Sequence, residues 1–279
     1  LDVAVIDDSV DEAEVTQAPA IADLRILLVE DIALNVTVAT AMLNKLGHQV
    51  DAAMTGTEAL EKFQPGRYDL VLLDIQLPDM TGFDVADELR RRYPEQLPPL
   101  VALTANLINN QQQYQQHGMQ SVIGKPLSLD NLRKTLNELF IVCSLPVEPV
   151  LTDSQEKHLL DINFLQDFTG VVGCDVMASA IDLFEASMPE YLDILNSALT
   201  ARDKQGIVEE AHKIKSAAGA IGLKRIYQLA QQAQSPDLPA WQENIHDWVE
   251  SISAEYQGDL ERLRHWLQQQ RSPVQEHQE

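Results

Sequence analysis

The chain has 279 residues, 45% hydrophobic and 23% charged, with 20 Lys and Arg against 43 Asp and Glu. That length suits about two domains, each able to bury its own core, and a formal net charge of −23 argues against nucleic acid as a direct partner, since phosphate binding needs a basic surface. No apolar run approaches the roughly 18 residues of a membrane span and no secretory leader opens the chain, while Leu at position 1 reads as a piece of a longer protein.

Residues 1–23 carry Asp2, Asp7, Asp8, Asp11, Glu12, Glu14 and Asp23 with no Lys or Arg, the composition of a solvated acidic linker. At Leu24 the pattern changes to a short apolar run, Leu24-Arg25-Ile26-Leu27-Leu28-Val29, suited to a strand buried on both faces. Helical periodicity over 33–46 follows and stops at Gly47. Strand-like runs at 49–53, 69–73, 99–103 and 121–124 then alternate with helix-compatible stretches at 57–63, 84–92, 106–117 and 128–140, which predicts a parallel sheet with helices on both faces over 24–141. Prolines at 146 and 149 and the loss of periodicity mark a linker over 142–160. Beyond it, stretches at 174–199, 203–219, 222–234 and 239–270 space apolar residues three and four apart, as in Ile181/Phe184/Met188/Leu192/Leu195. They predict an all-α helical bundle over 161–270 with a tail at 271–279. Gly222 and Ser235-Pro236 separate helices there, and Gly206 is either a break or a first-turn residue. Cys143 and Cys174 form no CxxC motif and no Cys/His cluster, which points to a reducing cytoplasm.

The strand ends of the first block carry chemistry. The first ends Val29-Glu30-Asp31, the third Leu73-Asp74 before Ile75-Gln76-Leu77-Pro78, the fourth Leu103-Thr104-Ala105 and the fifth Gly124-Lys125-Pro126. In an open parallel sheet, ligands bind at the carboxyl ends of the strands, so three carboxylates, a hydroxyl and an ammonium are expected in one pocket. Adjacent carboxylates repel one another unless a hard divalent cation sits among them, and Mg²⁺ suits a few carboxylates plus a phosphate oxygen. Asp74, at the end of the most apolar strand, is the candidate nucleophile for an aspartyl phosphate. Glu30, Asp31 and Asp74 are the candidate metal ligands, with the Gln76 backbone carbonyl as a further oxygen. Thr104 and Lys125 would offset charge on the phosphoryl oxygens.

These residues, with Leu72-Leu73-Asp74, Leu77-Pro78-Asp79-Met80-Thr81-Gly82 and Lys125-Pro126, make the block resemble a response-regulator receiver domain. The resemblance implies a flavodoxin-like (βα)5 fold, Asp74 as phosphoacceptor and a cis peptide before Pro126. Receivers that drive an output domain often carry an aromatic three positions before the Lys. Val122 stands there, which favours a receiver that passes its phosphoryl group onward.

In the helical block, Glu209-Glu210-Ala211-His212-Lys213-Ile214-Lys215-Ser216-Ala217-Ala218-Gly219 is followed by Lys224-Arg225, a basic setting in an acidic chain. On a helix His212 shares a face with Lys215 and Ser216. Small residues beyond it are expected to leave the imidazole exposed as a nucleophile, with Lys215 attracting a phosphoryl oxygen. This stretch resembles the active helix of histidine phosphotransfer domains, and Gln234 matches a family glutamine that orients the imidazole. Ser216 stands where that family usually has Gly, so its hydroxymethyl group is expected either to crowd an incoming receiver or to bond the imidazole.

Receiver, linker and phosphotransfer bundle follow the order of a tripartite hybrid sensor histidine kinase, without an ATP-binding core. The resemblance implies a phosphorelay. Asp74 receives a phosphoryl group from an upstream histidine kinase domain, in the same full-length chain or a partner protomer, and His212 passes it to a separate response regulator. It also implies a cytoplasmic portion of a bacterial inner-membrane protein, tied to the membrane only through a missing N-terminal region. A non-catalytic, Mg²⁺-dependent docking module is the alternative. A magnesium phosphatase ranks below it, because Gln76 stands where that reaction needs an Asp.

Overall fold

A computed structural model describes residues 23–105, 111–140 and 159–271. The acidic linker through residue 22, the interdomain linker over 142–158 with Cys143, and the tail from residue 272 lie outside the described residues.

The first unit alternates β1 (Arg25–Val29), α1 (Ala33–Lys45), β2 (Gln49–Ala53), α2 (Gly56–Lys62), β3 (Leu70–Asp74), α3 (Gly82–Arg92), β4 (Leu100–Thr104), α4 (Gln111–Gln116), β5 (Ser121–Gly124) and α5 (Leu129–Phe140). All strand pairs are parallel, in the order β2-β1-β3-β4-β5. The central strands β3 and β4 are buried at every position, as helices on both faces require. Successive residues point to opposite sides. Ile26, Leu28, Leu70 and Leu72 join α1 and α5 in one core, whereas Leu27, Val29, Val71 and Leu73 join α2 and α3 in another.

The second unit comprises α6 (Ile162–Val172), α7 (Cys174–Ala201), α8 (Lys204–Ala220), α9 (Lys224–Ala233) and α10 (Trp241–Arg271). Helix α6 is an addition to the sequence expectation. It is short, capped by the Asp161 carboxylate, which accepts from Phe164 N–H at 3.2 Å, and it ends at Gly173 with φ 91°. Gly206 lies inside the first turn of α8, where its N–H donates to the Asp203 cap at 3.1 Å, so it breaks nothing. Gly222, at φ 71°, does end α8, letting Leu223 N–H reach the Ala218 carbonyl at 2.9 Å. Arg225 grips the fully buried Asp259 with two bonds of 2.9 and 2.8 Å and also pairs with Glu255, fixing α9 against α10.

The two units are packed together. Helix α1 lies against α6, α7 and α8, and its Leu34, Val38 and Met42 belong to the same continuous apolar core as Leu165, Phe168 and Ala220. This packing brings the carboxyl ends of the strands beside α8.

Candidate functional site

Register explains the first half of the site. Val29 pairs with Leu73 and Asp74 with Leu103, so Glu30, Asp74 and Thr104 emerge at the same sheet edge. Thr104 pairs with Gly124, which places Lys125 at that edge as well. One side-chain oxygen from each of Glu30, Asp31 and Asp74 lies within 4.8 Å of the other two. The Lys125 ammonium sits 2.5 Å from both Glu30 Oε2 and Asp74 Oδ2. The Gln76 backbone N–H donates to Asp74 Oδ1 at 3.0 Å, while its side chain is exposed. Thr104 is buried beside them, and the Lys125-Pro126 peptide is cis.

Electrostatics give the pocket a demand for positive charge. Burial and the neighbouring Glu30 push the Asp74 carboxyl well above the ordinary carboxylate range, against the opposing pull of Lys125. Burial, then Glu30, raise Asp31 to about 6. Burial disfavours the Lys125 ammonium, but Asp74 and Glu30 outweigh it and hold the proton more tightly than on a free lysine. With all four groups ionised, three carboxylates against one ammonium leave an excess matched by a divalent cation. An all-oxygen set of this size fits a hard cation.

The second half lies on α8. His212 is only 6% exposed. Burial first, then the charges of Lys125 and Lys215, lower its pKa to about 3, so the ring is neutral at physiological pH. The exposed imidazole expected from the sequence is therefore corrected: the first unit covers it. Gly219, two helical turns further on, faces Pro126, and a Cβ there would come within 3.3 Å of the Pro126 ring. The basic setting is narrower than the sequence suggested. Arg225 is consumed by Asp259 and Glu255, and Lys213 pairs with Glu210 at 3.0 Å. Lys215 remains beside the imidazole, buried, its pKa lowered to about 8 by burial and by Lys125.

Gln234, the residue ending α9, places Nε2 3.0 Å from His212 Nδ1. Its Oε1 is buried without a hydrogen-bond partner. Rotating the amide by half a turn puts that oxygen on an Nδ1–H and leaves the lone pair on Nε2, which is the nucleophilic tautomer.

Two contacts at this junction escaped sequence reasoning. Asn35 on α1 donates from Nδ2 to Glu30 Oε1 and to Ser216 Oγ, each at 2.8 Å. Ser216 Oγ thus accepts from the Asn35 amide at the packed junction, and among the described residues it makes no bond to the imidazole. Only a pairing between positions 181 residues apart reveals this.

Residues 26–137 match the family profile of the response regulator receiver domain, and residues 179–272 match that of the Hpt domain. The chain joins a receiver domain to an Hpt domain. The aerobic respiration control sensor protein ArcB of Escherichia coli (strain K12) is 50% identical over 265 residues, covering 94% of this chain and 34% of that protein. Sensor histidine kinase AruS of Pseudomonas aeruginosa is 32% identical over 209 residues, covering 74% of this chain and 20% of that protein. A solved structure of the histidine-containing phosphotransfer domain of ArcB from Escherichia coli is 47% identical, with a TM-score of 0.40, covering 40% of this chain and 95% of that one. The chain spans about a third of the length of the ArcB proteins it matches. In the receiver, Val122 is half-buried and lines a groove of about 580 Å³ with Tyr114 and Lys134, away from Glu30, Asp74 and Lys125. In the Hpt domain, the buried stripe from Ile181 to Leu195 on α7 backs α8, and α9 is held by α10, so His212 and Gln234 sit on braced helices.

Proposed function

We propose that this chain is the phosphorelay segment of a hybrid sensor histidine kinase. Asp74 accepts a phosphoryl group from a phosphohistidine upstream, and His212 takes it from Asp74 for delivery to the receiver of a separate response regulator. The observation that carries this reading is the shared burial of the two candidate acceptors at one junction, with Lys125 bonded to Asp74 and its charge acting on His212. Two acceptors that must exchange a group need that proximity.

The transfer follows from the residues present. The Nε2 lone pair of neutral His212 attacks phosphorus. A P–N bond forms as the P–O bond to Asp74 breaks, and the electron pair stays on the Asp74 carboxylate. The departing carboxylate is received by the Lys125 ammonium and the Gln76 N–H. The Nδ1 proton remains on the ring, held by the rotated Gln234 amide. Lys215 faces the oxygens of the phosphoryl group from α8, and Thr104 does so from β4. Glu30, Asp31 and Asp74 would hold Mg²⁺, with the Gln76 carbonyl as a further ligand; the bound ion offsets negative charge on the phosphoryl oxygens. Phosphoryl transfer is chiefly positioning and electrostatics, which this pocket supplies without ATP.

The domain boundaries we assign are 24–141 for the receiver and 161–270 for the Hpt domain, joined by 142–160. The relatives it matches are longer sensor kinases, which supports a histidine kinase domain as the upstream phosphoryl donor. No described helix is long and apolar enough to cross a membrane.

The test is radiolabel transfer with the parent chain, Asp74→Asn and His212→Gln. Label entering the parent should distribute between an acyl phosphate and an acid-labile, alkali-stable phosphohistidine. Asp74→Asn should block entry from an upstream phosphohistidine, and His212→Gln should leave label on Asp74. Label that never reaches His212 overturns the relay and favours a docking module.

A further inference from the structure

The junction of the two domains contains one hydrogen-bonded chain that links a candidate metal ligand to the active helix of the Hpt domain. Glu30 Oε1 accepts from Asn35 Nδ2, and the same nitrogen donates to Ser216 Oγ, both at 2.8 Å. All three side chains are nearly inaccessible, at 1%, 6% and 5% exposure. An amide nitrogen has two hydrogens, so Glu30 fixes the plane of the amide and thereby aims the second N–H at α8. Beside this chain, Leu34, Val38 and Met42 of α1 share an apolar core with the helices of the Hpt domain. Apolar surface tolerates sliding, whereas a buried donor and acceptor must meet. Ser216 lies one turn from His212, so the register set by this bond is the register of the imidazole over the pocket.

We propose that Asn35 and Ser216 are a specificity-determining pair, by which the Hpt domain recognises and seats a receiver carrying an amide at the Asn35 position. Resting on the relay reading, the pair supplies what that reading leaves open, namely how this Hpt domain tells its own receiver from others. A receiver with an aliphatic side chain at that position would bury the Ser216 hydroxyl without its donor. A lost buried hydrogen bond and an orphaned polar group weaken docking by about tenfold. Asn35 and Ser216 are positioning residues, since neither touches the transferred group.

The experiment reads docking in the full chain without any phosphodonor, as the rate at which diethyl pyrocarbonate modifies the His212 imidazole, mapped by peptide mass. Modification requires the junction to open. Ser216→Ala, which leaves the receiver untouched, should raise the rate about fivefold, and Asn35→Leu should raise it about tenfold. Adding Ser216→Ala to Asn35→Leu should then lower the rate again, because an apolar pair leaves no orphaned group. Ser216→Thr, which keeps the hydroxyl, should stay nearer the parent than Ser216→Ala. Loading of Asp74 by acetyl phosphate in Ser216→Ala should match the parent, confirming an intact receiver. The proposal is overturned if Ser216→Ala modifies at the parental rate, or if the double variant shows the product of the two single effects. The relay reading fails separately: label that stays on Asp74 in the parent, alongside recovery in the double variant, removes the relay and leaves the pair.

Discussion

Gln234 holds His212 by its Nδ1, 3.0 Å away, from the last turn of a neighbouring helix. The bond runs between α9 and α8, so it constrains the ring independently of the helix that carries it. Gln234→Ala removes both the orienting bond and the preference for the tautomer with a free Nε2. The expected outcome is a slower transfer from Asp74 to His212 by about fivefold to tenfold, the worth of one buried hydrogen bond. Quench-flow measurement of label on His212 checks it. The thermal midpoint should fall by no more than a few degrees, because a single buried hydrogen bond, to His212, is lost.

Lys125 stands between Glu30 and Asp74 at 2.5 Å from each. Lys125→Met leaves the carboxylate cluster without its buried cation. Removing one partner of such a pair costs about 3–5 kcal/mol, so the variant should unfold at markedly lower urea concentration in chelator. Mg²⁺ should then restore more stability to the variant than to the parent, because binding to the folded state alone raises stability by mass action. Phosphoryl transfer should remain impaired even at saturating Mg²⁺, since the departing carboxylate has lost its ammonium. An equal Mg²⁺ response in the two proteins would contradict this account of the pocket.

Much of this molecule could be read from its sequence, for local reasons. The buried strands β3 and β4 are nearly unbroken apolar runs, and each ends on a residue with chemistry, Asp74 and Thr104. Parallel register then carries those ends to one edge. The helix α6 was not legible as a separate element, because only Leu165 and Phe168 of its residues are buried and it follows directly on the linker. The burial of His212 was hidden for a different reason. Nothing in the sequence around position 212 says that the receiver, far away in the chain, packs against α8, and small neighbours suit an exposed ring as well as a docked one. The same long-range packing concealed Asn35, which sits on α1 in an otherwise unremarkable polar position.

Gly82 begins α3 directly behind the pocket, and its N–H bonds the Ile75 carbonyl at 2.9 Å. A Cβ at this position would fall 2.2 Å from the Asp74 carbonyl oxygen, with the backbone of Ile75 also in contact. Backbone cannot swing aside like a side-chain tip, so Gly82→Ala must displace either α3 or the end of β3. We expect about 2 kcal/mol or more of lost stability and weaker Mg²⁺ binding, measured by unfolding with and without the ion. Gly66, whose Cβ would meet nothing within 4 Å, tests the space argument through a different cause: its φ of 73° makes Gly66→Ala a purely conformational change.

His212 should remain uncharged far below the pH at which a free imidazole titrates. Burial, then Lys125 and Lys215, depress its pKa from 6.5 to about 3 in the docked arrangement. A depressed value means that the docked state binds fewer protons than the open or unfolded chain. The contribution of His212 to docking is therefore fully present above about 6.5 and is lost as pH falls from there toward 3. Asp31, raised to about 6, works in the opposite sense over part of that window, taking up a proton more readily in the folded protein. Saturating Mg²⁺ should suppress the Asp31 response and leave the imidazole dominant. Nitrogen-15 chemical shifts of the His212 ring, followed from pH 8 to 4 in the full chain, should show no protonation above pH 5. In urea the same ring should titrate near 6.5. Protonation of the folded chain near that ordinary value would mean that the imidazole faces water and that the receiver does not cover it.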